Sequence, residues 1–235
     1  MLRKYRSRFL TAFLCLCLLL LSIPSIRYGL SSFLQTSAFP ARYTVLIDAG
    51  HGGFDPGKVG IDGSLEKDIN LSIALKLKSL LEQNDIEVLM TRTSDIALSL
   101  DSDSNKKKAD MRRRREQIIE SQSDLVVSIH QNSFPSEQSK GAQVFYYAQS
   151  KESEQLAKIL QIQLVNTLDP NNHRLQKPND TYYLLKTNVC PMVIVECGFL
   201  SNYEEAAKLN STEYQDKIAW AVHLGILSYL NTSSS

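Results

Sequence analysis

Two histidines and two glutamates in this chain stand where apolar runs end or a helical stretch begins. In TVLIDAGHGG a run through Val45, Leu46 and Ile47 stops at Asp48, and His51 follows among Gly50, Gly52 and Gly53. DLVVSIHQN places His130 directly after Ile129, and PMVIVECGFLSN sets Glu196 between Val195 and Cys197. An unpaired carboxylate buried in such a strand costs several kcal/mol, so Glu196 needs a partner or a purpose. Histidines and a glutamate at strand ends are what a metal site supplies. Catalytic zinc takes three protein ligands from His, Glu, Asp and Cys and keeps a fourth position for water. With no H-E-x-x-H in the sequence, such a site must be assembled from distant segments. Glu66, after the loop FDPGKVGIDGSLEKD and at the start of a helical stretch, is the natural third ligand. The glycines around His51 then allow a tight turn and a close approach of substrate.

The elements that must position these residues are legible in the apolar pattern. β-branched and aromatic runs bounded by polar residues predict strands at Tyr43 to Asp48, Glu87 to Thr91, Leu125 to Ile129, Ala142 to Tyr147 and Val193 to Cys197. Ile69, Ile73, Leu77 and Leu81 predict a helix between 65 and 84. Leu156, Ile159, Leu160 and Leu164 make a second helical stripe, and Tyr214 to Leu230 a long C-terminal helix. This alternation predicts a single α/β domain with a mostly parallel twisted sheet flanked by helices on both faces. Functional groups in such sheets gather at the carboxyl ends of the strands.

Length and charge set the frame. The 235 residues suffice for one sizeable domain, and a net charge of +1 gives no pull toward nucleic acid. The four cysteines, at 15, 17, 190 and 197, form no C-x-x-C pair, which argues against a zinc ribbon or a disulfide framework. Arg3, Lys4, Arg6 and Arg8 precede the apolar run Phe9 to Ile23. Leading positive charge keeps that end in the cytoplasm, so the chain beyond the apolar run is exported. Residues 1–26 therefore read as a membrane anchor or uncleaved signal, with secretion after cleavage as the alternative. Residues 27–41 read as a linker, 42–231 as the catalytic domain and 232–235 as a polar tail. The expected localisation is membrane-anchored with an extracytoplasmic catalytic domain.

By its residues the chain resembles the zinc-dependent N-acetylmuramoyl-L-alanine amidases of the amidase-3 type. The landmarks IDAGHGGFDPGKVG, LEKDINLSIALKLKSLLE, VLMTRTSD, SDLVVSIHQNS, KGAQVFYY and PMVIVECGFLSN occur in family order between Tyr43 and Leu230. The resemblance implies Zn2+ held by His51, Glu66 and His130, with Glu196 as the catalytic carboxylate. It implies hydrolysis of the amide joining N-acetylmuramic acid to the L-alanine of the stem peptide, on peptidoglycan glycan strands and stem peptides. Arg114 falls, counting back from Asp124, where the family carries an arginine. Asp48 and Asn132 flank the histidines and are candidates for contact with the ligands or the substrate. SIHQN departs from the commoner His-Ala-Asn form, and NNHRLQKPND lacks the glycine that often follows the arginine of that loop. A short chain with an anchor and only a catalytic domain resembles the sporulation branch, whose members trim stem peptides from spore cortex glycan as muramic lactam forms. An activating protein partner is compatible with that architecture.

Other residues receive blander readings. His173 and His223 are structural, and Asp55 and Asp62 solvate turns. If Glu196 faces the metal, Cys197 faces the core. Cys190 and Cys197 read as small buried thiols. NKKKADMRRRREQ reads as one solvated helix face, the alternative being a grip on anionic wall polymers or lipid head groups. Two other functions stay open at this point: a zinc peptidase acting within the stem peptide, and an inactive wall-binding module.

Overall fold

The computed structural model describes residues 13–14 and 43–232. Most of the expected anchor and all of the expected linker lie outside the described residues, as does the tail beyond Thr232. Among the described residues no helix is long and apolar enough to cross a membrane.

In the compact unit Arg42–Ser235, six strands form one sheet: β1 (Thr44–Ala49), β2 (Glu87–Met90), β3 (Leu125–Asn132), β4 (Gln143–Tyr146), β5 (Lys177–Pro178) and β6 (Met192–Phe199). Their order is β2-β1-β3-β6-β4-β5. β2, β1, β3 and β6 run parallel, β4 is antiparallel to β6, and β5 is parallel to β4. The central strands are buried on both faces, which explains why they read as nearly continuous apolar runs. The helices are α1 (Glu66–Glu82), α2 (Lys106–Glu120), α3 (Lys151–Leu168), α4 (Tyr203–Leu209) and α5 (Thr212–Thr232). Asp85, with φ of 56°, turns the chain out of α1 toward β2. Asn105 and Ser150 cap α2 and α3 by accepting the backbone N–H groups of Lys108 and Ser153.

Alternation along the strands divides the core in two. Val45, Ile47, Val127, Ile129, Val193 and Val195 join the larger cluster with α1, α3 and α5. Leu46, Val126 and Ile194 point the other way, onto Ile118 of α2 and onto Leu184 and Leu185. Asp48, Ser128, His130 and Glu196 share the parity of this smaller layer. The site therefore opens where the thinner cover ends. Cys197 is fully buried in the larger cluster, as expected from its parity.

Several strand boundaries differ from expectation. β3 and β6 extend to Asn132 and Phe199 because their pairing continues past a register shift between His130 and Asn132. The short helix α4 and the two-residue β5 have too little apolar period to be read from sequence.

Candidate functional site

His51 closes the turn after β1 with φ of 62°, a left-handed backbone conformation costing about 1 kcal/mol or more for a non-glycine residue. Two arginines hold that turn. Arg114 donates from Nη1 to Asp48 Oδ1 at 2.6 Å and to the Ala49 carbonyl at 2.9 Å, and from Nη2 to the His51 carbonyl at 2.5 Å. Its Nε donates to Asp110 Oδ2 at 2.7 Å. Arg92 donates to the carbonyls of Ala49, Gly50 and Lys67 at 2.9, 3.0 and 2.7 Å. Charge-assisted bonds of this kind offset the strain.

Glu66 reaches the same point from the first turn of α1. Its Oε1 lies 3.3 Å from His51 Nε2 and 3.0 Å from His130 Nδ1. It also accepts the backbone N–H of Gln131 at Oε1, 3.0 Å, and that of Lys58 at Oε2, 2.7 Å. Ligand atoms of His51, Glu66 and His130 all lie within 4.8 Å of one another, a set able to hold a metal ion. Burial opposes ionisation of Glu66, but the hydrogen bonds and charges of the two imidazoles outweigh it and hold its pKa well below the usual carboxylate range. Burial likewise opposes charge on His51, yet Glu66 and Asp55 raise its pKa to about 9. The approach is close enough to exclude side chains from the turn. A Cβ on Gly50 would meet His130 Cε1 at 2.3 Å, and one on Gly57 would meet Glu66 Oε2 at 2.6 Å.

Glu196 pairs across the sheet with His130. Burial, the largest influence, pushes its pKa up to about 7 against the nearby His130 and His51. Its Oε2 is buried without a hydrogen-bond partner. The two glutamates thus have distinct environments: both oxygens of Glu66 accept hydrogen bonds and its pKa is held low, whereas Glu196 Oε2 has no partner and burial raises its pKa. Glu196, His51, His130, Met111, Tyr182 and Ile194 are among the residues lining a cavity of about 260 Å³.

The flanking candidates separate. Asp48 is fully buried and binds Arg114, Thr91 Oγ1 at 2.8 Å and Ser128 Oγ at 2.5 Å. Arg114 joins it to the His51 carbonyl. Asn132 is half-buried, and its amide oxygen accepts the N–H of the next residue, Ser133, at 2.8 Å. Asp55 does bind its own turn, accepting the N–H of Gly57 at Oδ1, 3.2 Å, and in addition its Oδ2 lies 2.9 Å from His51 Nδ1. Asp62 does bind its own turn, accepting from Ser64. His173 is exposed and His223 is packed in α5 beside Asn84. Cys190 and Cys197 are free, Cys190 only half-buried because it lies outside the strand. The basic run is not a single solvated face, because Arg114 within it is 2% exposed. Arg92 and Asn70 escaped the sequence reading. The Asn70 amide donates to the Gly50 carbonyl at 3.1 Å, and the signal available was a polar residue on the apolar stripe of α1.

Ligand-type donors converging at strand ends, with an acid held near neutrality beside them, are the equipment of a hydrolase. Comparison with known proteins specifies which. Residues 45–228 match the N-acetylmuramoyl-L-alanine amidase family. The germination-specific N-acetylmuramoyl-L-alanine amidase of Bacillus subtilis is 39% identical over 188 residues, covering 79% of this chain and 78% of that protein. The CwlD amidase of Clostridioides difficile, solved in complex with the GerS lipoprotein, superposes with a TM-score of 0.79 at 42% identity. That match covers 81% of this chain and 99% of the other. An N-acetylmuramoyl-L-alanine amidase from Clostridium difficile 630 superposes with a TM-score of 0.73 at 33% identity, over 81% and 98% of the two chains. The chain belongs to the N-acetylmuramoyl-L-alanine amidase family and is an enzyme of peptidoglycan.

Proposed function

We propose that the chain hydrolyses the muramoyl–L-alanine amide with zinc held by His51, Glu66 and His130 and with Glu196 as the acid–base residue. The observation that carries this reading is the convergence of two imidazoles and a carboxylate, from three distant segments, within 4.8 Å. That donor set suits zinc. When bound, the ion supplies Lewis-acid activation of water and of the amide carbonyl.

The chain's own residues do the rest. Asp55 accepts from His51 Nδ1, which leaves Nε2 as the donor atom facing Glu66. Backbone N–H groups of Lys58 and Gln131 hold the Glu66 carboxylate in place. Glu196 Oε2 takes a proton from the attacking water and passes it to the nitrogen of the leaving L-alanine. A carboxylate held near neutrality suits both halves of that transfer.

The test is zinc content and muropeptide hydrolysis of the full chain beside Glu196→Gln and His130→Ala. The expected result is about one zinc per chain, kept in Glu196→Gln and lost in His130→Ala. Hydrolysis should fall by about 10²–10⁴-fold in Glu196→Gln. Full activity in Glu196→Gln would remove it as the acid–base residue. New amino termini other than L-alanine would mark a peptidase instead.

The same reading includes an extracytoplasmic domain on a membrane anchor, supported by the basic residues ahead of Phe9 to Ile23. It includes trimming of spore cortex glycan, supported by similarity to a germination-specific amidase. A lipoprotein partner belongs to it as well, supported by the complex in which the Clostridioides difficile relative was solved.

A further inference from the structure

We propose that Lys107 is a specificity-determining residue that receives the first free carboxylate of the stem peptide beyond L-alanine; the inference rests on the amidase reading above. Lys107, Asp110, Met111 and Arg114 stand on one face of α2 and line the cavity that holds Glu196. Two cations therefore border it, and they differ sharply. Arg114 is 2% exposed and has its three nitrogens committed to Asp110, Asp48, and the carbonyls of Ala49 and His51. Four of its five N–H donors are therefore used inside the protein.

Lys107 is the reverse case. Its side chain is 71% exposed, and the nearest carboxylate oxygen, Asp55 Oδ2, stands 3.7 Å from Nζ, beyond hydrogen-bond reach. Asp55 is meanwhile engaged at 2.9 Å by His51. Its three ammonium donors thus border the cavity held only by this loose, exposed ion pair to Asp55. The other basic residues nearby are placed differently. Lys106 is tied to Asp101 at 2.9 Å and Arg113 to Asp103 at 2.5 Å.

The chemistry of the substrate says which end meets this charge. In the intact muramoyl peptide the lactyl carboxyl is consumed in the scissile amide, so the sugar side is neutral. Negative charge resides on the peptide side, in the side-chain or α-carboxyl groups that follow L-alanine. A cation so loosely paired, bordering the cavity of Glu196, therefore orients the peptide over α2. It also separates a free-acid stem from one whose carboxyl is amidated, since an amide offers no charge to Lys107.

The experiment compares kcat and KM of the zinc-loaded full chain on two muropeptides that differ only in whether that carboxyl is free or amidated. Wild type, Lys107→Gln and Lys107→Arg are measured with each. Wild type should favour the free acid by about fivefold to tenfold in KM, as expected for one charge-assisted contact. Lys107→Gln should lose the preference by weakening the free acid alone, with kcat unchanged, and Lys107→Arg should retain it. Equal effects on both substrates, or no effect on either, would overturn the role of Lys107 while leaving the amidase intact. No hydrolysis of either muropeptide by wild type would overturn the amidase reading and this inference together.

Discussion

At the scale of single residues, the site depends on buried groups that hold the His51 turn. Asp48 and Arg114 form a fully enclosed ion pair beneath the His51 turn. Burial works against the charge on Asp48, but Arg114, His130, Ser128 and Thr91 prevail and lower its pKa to about 2. A carboxyl whose folded pKa lies below its unfolded value stabilises the fold above the unfolded pKa, near 4. That contribution is lost as pH falls toward 2. It is worth about 2 kcal/mol. Asp48→Asn leaves Arg114 without its main counter-charge, and breaking such a pair costs about 3–5 kcal/mol. In urea melts the variant should show that loss at pH 7. The gap from wild type should narrow as acid is added, whereas an unchanged midpoint at pH 7 would make the pair ornamental. The same residues explain a partial reading of the sequence. Asp48 is recognisable as a neighbour of His51, but its partner lies in α2, and no sequence spacing links the two.

At the scale of elements, the helices on the larger face fix where α1, and with it Glu66, can sit. α5 packs on both α1 and α3. The second contact is tight at Gly225, where a Cβ would lie 2.5 Å from Leu160 Cδ2 and 3.3 Å from Leu160 Cα. Gly225→Val should push α5 away from α3 and lower stability by about 1–3 kcal/mol, readable as a lower denaturation midpoint. Because Leu160 belongs to the layer opposite the cavity, zinc content at low temperature should stay that of wild type. A stabilised variant would mean that helix propensity outweighs the packing. The elements are largely visible in the sequence: i, i+4 stripes and buried apolar runs mark α1, α3, α5 and four parallel strands. The antiparallel sense of β4 is not visible there, since a run such as QVFY satisfies either direction of pairing equally well.

At the scale of the whole molecule, the proposed anchor and partner make one prediction and the proposed role makes another. In sporulating cells the full chain should stay with membranes after alkaline washing and cross-link to a lipoprotein. A chain found in the wash without a cross-linked partner would remove both features. Spores from a strain lacking the chain should carry cortex poor in muramic lactam, whereas cortex of normal composition would place the enzyme elsewhere in wall turnover.

The sequence by itself determined the layered α/β plan and the set His51, Glu66, His130 and Glu196, because apolar period and glycine-rich turns are local properties. Ordered landmarks further implied the reaction. Only the tertiary structure decided what each polar residue is paired with. It brought Asp55 onto His51, turned the Asn132 amide oxygen to the N–H of Ser133, buried Arg114 within a run that looked solvated, and left Lys107 exposed at the cavity in a loose pair with Asp55. The reason is that burial and charge pairing are set by residues far apart in the chain. His51 meets Glu66 and His130 only after β1, α1 and β3 have packed together.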